Sequence, residues 1–236
     1  MIELENVSYS LRDINILSKI SLNINKGDIF GLIGESGAGK TTIAKIIAGV
    51  LQPTSGLIKL SNIKLSDIQL LFQNNFELVN PHRKVRSILN DVLSFKNKKL
   101  DINEFLQMVG LNNSILSKHA YQLSGGERQR IALVKLLIVS PKVLILDEPF
   151  SAQDTDSQIE LVNLFKYLNS ELNITIFCVS HDLNIMSHFP NKLSVIKNGI
   201  IVEQGETEDI VANAKADYTK FLFTAAKYKL SIKDFN

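Results

Sequence analysis

The fold of this chain is decided by one glycine-rich stretch, Gly34-Glu35-Ser36-Gly37-Ala38-Gly39-Lys40-Thr41. The stretch fits the pattern G-x-x-x-x-G-K-[ST] in full. Glycines in such a turn let successive backbone N–H groups point inward around phosphate oxygens, and the helix that follows aims the positive end of its dipole at them. The lysine reaches the β- and γ-phosphates, and the threonine hydroxyl coordinates Mg²⁺. Background residue frequencies give about a 1% chance of such a match in a chain of this length, so the stretch predicts a phosphate-binding turn.

The residues on either side of the turn supply the context that it needs. Ile29 to Ile33 is a continuous apolar run typical of a buried strand. Thr41 to Val50 carries small and aliphatic residues at helical spacing. We therefore predict that Gly34–Thr41 and the following Thr42 bind a nucleotide together with Mg²⁺, through its phosphates.

A pair of carboxylates follows a second apolar strand farther along the chain. Val143-Leu144-Ile145-Leu146 runs directly into Asp147 and Glu148. A carboxylate at the end of a buried strand beside a phosphate-binding turn can hold Mg²⁺ through its water shell, which is the role expected of Asp147. Glu148 is placed to polarise an attacking water. A strand followed by an acidic turn at Pro149 would show the same residues in any α/β protein. The assignment of Asp147 and Glu148 to Mg²⁺ binding and catalysis therefore depends on the presence of the phosphate-binding turn.

A third pattern, Leu123-Ser124-Gly125-Gly126-Glu127-Arg128-Gln129-Arg130, opens the most regular helical stretch of the chain, Ser124 to Ser140. Ser124 followed three residues later by Glu127 is also a capping box, a common helix start. The paired glycines and the two arginines go beyond what a cap requires, and a Ser-Gly-Gly helix N-terminus is itself an anion site. The pattern resembles the LSGGQ or LSGGE signature of the ATP-binding-cassette (ABC) ATPases.

This resemblance extends over nearly the whole chain in the family's order. Gln73 matches the glutamine loop that senses Mg²⁺ and the attacking water, and His181 matches the switch histidine that contacts the γ-phosphate. Ser151-Ala152-Gln153-Asp154 is similar to the family's SALD loop, with Asp154 kept and Gln153 in place of leucine. The resemblance implies three sets of residues: catalytic Gln73, Glu148 and His181; Mg²⁺-binding Thr41, Gln73 and Asp147; and Ser124, Gly125, Gly126 and Glu127, which would face the ATP of a partner subunit.

The fold that the resemblance implies is an α/β, ABC-type nucleotide-binding domain of the P-loop NTPase class. It would have a RecA-like core, an N-terminal antiparallel β subdomain and an inserted helical subdomain. We expect a single domain, in which residues 1–73 and 141–205 form the α/β core with the β subdomain, residues 74–140 the helical subdomain with the signature, and residues 206–236 a C-terminal tail.

One departure from the family concerns the adenine. ABC ATPases usually stack an aromatic side chain of the first hairpin on the base, and alignment of Leu4 to Leu11 with L-x-N-V-S-F-S-Y puts Leu11 at that position. Tyr9 lies two residues too early, and it either stays near the base or packs in the sheet. A preference for ATP over GTP therefore follows from the family resemblance alone.

Composition excludes several classes of protein. Apolar residues make up 45% and charged residues 21%, and 26 basic minus 24 acidic residues give a net charge of +2. This near-balance argues against an electrostatically driven nucleic-acid-binding protein, so no nucleic-acid partner is expected. The single cysteine, Cys178, excludes an internal disulfide and fits a reducing compartment. No apolar run approaches the roughly 20 residues that cross a bilayer, and the acidic start is unlike a signal peptide.

Two segments resemble the peptide/nickel importer ATPases within the family. Phe72 to Val85 is similar to FQDPxxSLNPRxTV, and Asp217 to Leu222 is similar to HPYTKxL, although a turn and a helix surface could carry the same residues. The resemblance implies an ATP-hydrolysing importer subunit for peptides, nickel or metal chelates, peripheral at the cytoplasmic face of the membrane. Its partners would be a second ABC ATPase subunit, in a homo- or heterodimer, transmembrane permease subunits and, indirectly, a substrate-binding protein.

Three alternatives stay open at this stage. The chain could serve another transporter class, or it could be a soluble ABC ATPase outside transport. It could also be a regulatory subunit that binds nucleotide without hydrolysing it, although the presence of Glu148 and His181 argues against that interpretation.

Overall fold

The structure, a computed structural model, describes residues 1–72, 79–94, 100–151 and 153–233. The strands are β1 (Ile2–Leu11), β2 (Ile14–Ile24), β3 (Ile29–Ile33), β4 (Ser55–Leu60), β5 (Ile68–Leu71), β6 (Val143–Asp147), β7 (Thr175–Ser180), β8 (Lys192–Lys197) and β9 (Ile200–Glu206). The helices are α1 (Lys40–Ile47), α2 (Val85–Ser94), α3 (Ile102–Met108), α4 (Gly125–Ile138), α5 (Thr155–Leu172), α6 (Leu183–Met186), α7 (Thr207–Asn213) and α8 (Asp217–Lys233). Helices α2, α3 and α4 follow one another between β5 and β6, where the sequence predicts a helical insertion.

A six-stranded sheet of order β5-β6-β7-β3-β8-β9 forms the centre of the fold. Its strands are parallel except for β9, which pairs antiparallel with β8. Every residue of β3, β6 and β7 is buried, which explains their continuous apolar sequences. The carboxyl ends of parallel strands share one edge of a sheet, where α/β proteins bind ligands. At that edge β3, β6 and β7 lead into Gly34, Glu148 and His181.

A separate three-stranded antiparallel sheet has the order β2-β1-β4. It shares one hydrophobic core with α1 and one face of the six-stranded sheet, in which Ile24, Ile43 and Leu32 are fully buried. Register shifts interrupt the β1–β2 pairing between Leu4 and Ser10. These bulges break the period-two alternation, and for this reason the sequence predicts only Ile2 to Val7 of β1 and Ile20 to Ile24 of β2.

The opposite face of the six-stranded sheet is covered by helices, including α2, α4 and α5. Three phenylalanines meet there: the Phe150 ring lies 6.0 Å from that of Phe165 and 5.7 Å from that of Phe189. Phe150 follows Glu148 by two residues, so this aromatic cluster fixes the loop that carries the glutamate. Among the described residues, no helix has both the length and the apolar character needed to cross a membrane.

Replacing Phe165 with alanine should lower the free energy of unfolding by about 3–5 kcal/mol, because it removes a fully buried ring and leaves a cavity. Urea denaturation measures the loss. Tyr167→Ala on the same helix serves as the control; its ring is half-exposed, and its removal should cost less than about 1 kcal/mol. Equal losses for the two variants would contradict the assigned core.

Candidate active site

The phosphate-binding turn connects β3 to α1 and has the backbone that its glycines allow. Gly39, the residue before α1, has a φ of 104°, a conformation that side chains strongly disfavour. At Gly34 the reason is space, since a Cβ there would lie 2.3 Å from the carbonyl oxygen of Ile196. The predicted turn is therefore present, and both positions require glycine.

Lys40 lies across the mouth of this turn. Its Nζ donates to the carbonyl oxygens of Gly34 (2.8 Å) and Glu35 (3.0 Å) and lies 3.9 Å from the Oε1 of Glu148. Burial lowers the pKa of Lys40, while the carboxylates of Glu148 and Asp147 oppose that shift. The ammonium is thus buried beside the position that the pattern assigns to the phosphates, with partners that phosphate oxygens can replace.

Thr41 and Asp147 are brought together although they are 106 residues apart, and the Thr41 hydroxyl donates to the Oδ1 of Asp147 at 2.9 Å. Burial raises the pKa of Asp147, and the hydrogen bond from Thr41 opposes the shift. Hydroxyl and carboxylate oxygens are hard ligands, and Mg²⁺ is commonly held by one or two such groups together with substrate phosphates. The described part of the chain has no cluster of three or more His, Cys, Asp and Glu that could form an all-protein cage. The pair therefore fits Mg²⁺.

Glu148 and His181 form the next pair. The Oε2 of Glu148 accepts hydrogen bonds from the Nδ1–H of His181 (2.9 Å) and the hydroxyl of Ser180 (3.2 Å). The φ of Glu148 is 52°, in the left-handed region, and its backbone N–H donates to the carbonyl of Val179 at 2.9 Å. Strain of this kind collects at functional sites. Sequence reasoning missed Ser180, for which the one available signal is its position at the end of a buried strand, directly before His181.

One cavity of about 1420 Å³ opens beside Lys40, Thr41, Glu148 and His181. It is lined by most of the turn, by Glu148 and His181, by Ile16 of β2 and by Phe221 of α8. Helix α8 also touches the turn directly, because the Tyr218 hydroxyl accepts a hydrogen bond from the N–H of Glu35 at 3.4 Å. The sequence predicts a helix around Tyr218 to Ala226, but nothing in it indicates that this helix forms a wall of the cavity.

The signature residues lie outside the cavity at the phosphate-binding turn. The Ser124 side chain accepts from the N–H of Glu127 (3.1 Å), and the Oε2 of Glu127 accepts from the N–H of Ser124 (2.9 Å), so the capping box is confirmed. The latter bond lowers the pKa of Glu127. Ser124, Gly126 and Glu127 line a second groove of about 1000 Å³, next to α5. The structure thus keeps the signature apart from the phosphate-binding turn of its own chain.

The loop after β6 is tied to the signature helix by two glutamines. Gln129 donates through Nε2 to the carbonyl of Pro149 (2.7 Å), and Gln153 donates through Nε2 to the Oε1 of Gln129 (2.9 Å). Asp154 caps α5 by accepting from the N–H of Ser157 (2.8 Å), a bond that lowers the pKa of Asp154. Gln153, the departure from the family pattern, therefore links the loop after Glu148 to α4.

Two further predictions have different outcomes. Gln73 lies outside the described residues, so its assignment stays a prediction. Tyr9 is partly buried and packs against the core, whereas Leu11 is 56% exposed. Of the two positions left open for Tyr9, the sheet is the one it occupies.

The fold and the site together define a class of protein. This is an α/β protein whose P-loop turn, carboxylates and histidine meet at the carboxyl edge of a parallel sheet, as in nucleoside triphosphatases.

The family model described as ABC transporter matches residues 17–151. The oligopeptide transport ATP-binding protein OppF of Lactococcus lactis subsp. lactis is 35% identical over 226 residues, covering 87% of this chain and 70% of that protein. The dipeptide transport ATP-binding protein DppF of Haemophilus influenzae is 31% identical over 232 residues, covering 91% and 71%. The chain belongs to the ABC transporter family and is an ABC-type ATPase.

A solved structure supports the same assignment. The ATP-binding cassette MJ0796, solved as a dimer in a post-hydrolysis state bound to ADP and Pi, has a TM-score of 0.77 and 27% identity, covering 88% of this chain and 99% of that chain. The predicted fold, an ABC-type P-loop domain with an antiparallel β sheet and helical segments, is confirmed.

Proposed function

We propose that this chain hydrolyses ATP to power the uptake of peptides through separate membrane subunits. The observation that carries the proposal is the meeting of Lys40, the Thr41–Asp147 pair and the Glu148–His181 pair at one edge of the sheet. Peptides are the proposed cargo because both relatives are named for peptide transport; the tail from Asp217 to Leu222 resembles that of the peptide/nickel importer ATPases as a group. Neither relative is named for nickel.

In the proposed mechanism Lys40 exchanges its carbonyl partners for oxygens of the β- and γ-phosphates. Glu148 accepts a proton from the attacking water, and His181 orients that carboxylate and contacts the γ-phosphate. Thr41 and Asp147, with Gln73, would hold Mg²⁺, which neutralises charge on the phosphates. The residues from Gly34 to Thr42 position the phosphates through backbone N–H groups.

Thr41→Ala tests the proposed Mg²⁺ pair. The variant should require at least about tenfold more Mg²⁺ for half-maximal ATP binding, because it removes one oxygen ligand and leaves the buried Asp147 without its hydrogen bond. Titration calorimetry at several Mg²⁺ concentrations measures the shift. Thr41→Ser keeps the hydroxyl and is the control. An unchanged Mg²⁺ requirement in Thr41→Ala would remove the residue from the metal site.

We propose that a second ATPase subunit contributes its signature residues to the active site of this chain. The signature lines its own groove, away from the turn, so a signature can reach this chain's nucleotide only from another subunit. The dimeric form of MJ0796 supports this arrangement. We extend it to a homo- or heterodimer that docks peripherally on permease subunits at the cytoplasmic face. We also propose that the chain is a single domain. Residues 74–140 form its helical subdomain, residues 206–236 its C-terminal tail, and the remaining residues its α/β core with the β subdomain.

Ser124→Ala should leave nucleotide binding to this chain unchanged and slow hydrolysis by the assembled dimer about 100-fold, as the loss of one anion-binding donor does. Phosphate release and calorimetry measure the two quantities. The variant also removes a helix cap, so Asp101→Ala, which removes the cap of α3, controls for that loss and should hydrolyse ATP normally. Equal activity of Ser124→Ala and wild type would contradict the shared site.

Purification of the tagged chain from membranes tests the transport role as a whole. We expect permease subunits and a second ATPase subunit to co-purify and the complex to release phosphate faster when peptide is present with its binding protein. Absence of membrane subunits would favour a soluble ABC ATPase, and a complex without phosphate release would favour a regulatory subunit.

A further inference from the structure

The loop that follows Glu148 is held in place by the side chains of two glutamines. Gln129 of α4 donates through Nε2 to the carbonyl oxygen of Pro149 at 2.7 Å, and Gln158 of α5 donates through Nε2 to that of Phe150 at 3.2 Å. Pro149 directly follows Glu148, and its ring fixes φ at about −65°. A hydrogen bond that fixes the carbonyl of Pro149 therefore also fixes the peptide bond that joins it to Glu148.

Glu148 depends on such constraints because its backbone is strained. Its φ of 52° lies in the left-handed region, and a side-chain-bearing residue keeps this conformation only where its surroundings impose it. The N–H of Glu148 donates to the carbonyl of Val179 at 2.9 Å, and the carbonyl of Glu148 accepts from the N–H of Ser151 at 3.3 Å. The contact between Gln129 and Pro149 restrains the same turn from the side of α4.

The amide of Gln129 is itself oriented by Gln153. Gln129 is only 5% exposed, and its Oε1 accepts a hydrogen bond from the Nε2 of Gln153 at 2.9 Å. The two ends of an amide have nearly the same shape but opposite hydrogen-bonding roles. The donor on Gln153 therefore favours the orientation in which Oε1 of Gln129 faces Gln153 and Nε2 faces the carbonyl of Pro149.

This donor is particular to the present chain, since the SALD pattern has leucine at the position of Gln153. Leucine is similar in size but has no N–H, so it would leave the buried Oε1 of Gln129 without this partner. A buried acceptor that loses its partner costs its full desolvation penalty. The Gln129 amide avoids that cost by rotating or by moving away, and either change releases the carbonyl of Pro149.

We propose that Gln153 is a positioning residue for ATP hydrolysis: it orients the amide of Gln129, which holds the loop at Pro149 and so keeps the Glu148 carboxylate aimed at the attacking water. The inference rests on the proposed function and adds to the same reaction a residue that the family pattern does not supply. It implies that leucine, the residue of that pattern, impairs catalysis in this chain.

Gln153→Leu in the assembled ATPase tests the proposal. Its kcat should fall about tenfold or more, because a small displacement of a catalytic group is costly. Its KM for ATP should stay within about twofold of wild type, since the phosphate-binding turn and Lys40 are unchanged. The rate is expressed per nucleotide-binding site counted by calorimetry, so that unfolded protein does not lower kcat. An unchanged kcat, or a change confined to KM, overturns the inference.

Gln153→Glu keeps the shape of the side chain but puts an oxygen where Nε2 donates, against the Oε1 of Gln129. Its kcat should fall at least as far as that of Gln153→Leu. Gln107→Glu is the matched control, because it adds the same charge to the same groove and leaves both glutamines in place; its kcat should stay within about twofold of wild type. Equal rates for the two glutamate variants overturn the role of the amide donor.

A double-mutant cycle with Glu148→Gln separates this role from an effect through the neighbouring signature. If Gln153 acts through Glu148, Gln153→Leu should slow the residual hydrolysis of Glu148→Gln by less than about twofold, since coupled residues are not additive. A further loss as large as in the wild-type background overturns the inference and leaves the proposed function standing. A wild-type ATPase that binds ATP without hydrolysing it overturns both.

Discussion

Replacing Glu148 with glutamine is expected to slow ATP hydrolysis by about 100-fold or more while ATP still binds. General acid–base groups typically contribute 10²- to about 10⁴-fold, and Glu148 is the carboxylate that the structure holds beside both Lys40 and His181. Glutamine has the same shape but cannot accept the proton of the attacking water. It also leaves the turn and Lys40 in place, so the affinity for ATP should stay within about threefold of wild type.

Phosphate release by the assembled ATPase measures the effect of Glu148→Gln, and calorimetry on the same protein measures binding. Glu171→Gln, an exposed change on α5, is the control and should hydrolyse ATP at the wild-type rate. Near-wild-type hydrolysis by Glu148→Gln would remove Glu148 from the catalytic role.

Lys40→Ala should weaken ATP binding itself, by about 10- to 100-fold. Charge-assisted hydrogen bonds to phosphate are about twice as strong as neutral ones, and their loss costs roughly 1.5–3 kcal/mol. The Nζ of Lys40 is already buried next to the expected phosphate position, where its two carbonyl partners hold it in place. The variant therefore loses a preorganised cation, and hydrolysis should fall with binding.

Calorimetry with ATP and Mg²⁺ measures the change in affinity of Lys40→Ala. Lys45→Ala, in the last turn of α1, removes a cation from the same helix and should change the dissociation constant by less than about threefold. Urea denaturation of both variants separates a folding defect from a binding defect. An unchanged dissociation constant for ATP in folded Lys40→Ala would contradict the role of the phosphate-binding turn.

The parts of the fold that the sequence predicts well are those set by local patterns. Strand β3 has the predicted bounds Ile29–Ile33, because a strand buried on both faces must be apolar throughout. Helix α4 begins after Ser124 because the capping box satisfies its first N–H groups. The dipeptide Asn198-Gly199 within Leu193 to Val202 predicts a hairpin, and it joins β8 to β9, since Asn and Gly both tolerate positive φ there.

What the sequence could not predict depends on contacts between distant segments. The lengths of β1 and β2 were underestimated because bulges, including the one at Ile16, hide the alternation. In the site, the pairing of Thr41 with Asp147 follows from the motifs, but the hydrogen bond from Ser180 to Glu148 follows from the approach of β6 to β7. The wall formed by α8 and the Gln153–Gln129 link likewise arise from tertiary packing.

The central claim is that ATP turnover by this chain drives peptides across a membrane, and one measurement tests it most directly. The complete complex, with permeases, partner ATPase and binding protein, is reconstituted in liposomes, and entry of a labelled peptide is followed with and without ATP. The account predicts uptake that requires ATP and falls to background when Glu148→Gln replaces the wild-type chain. ATP hydrolysis without peptide uptake, or uptake that is independent of ATP, would contradict it.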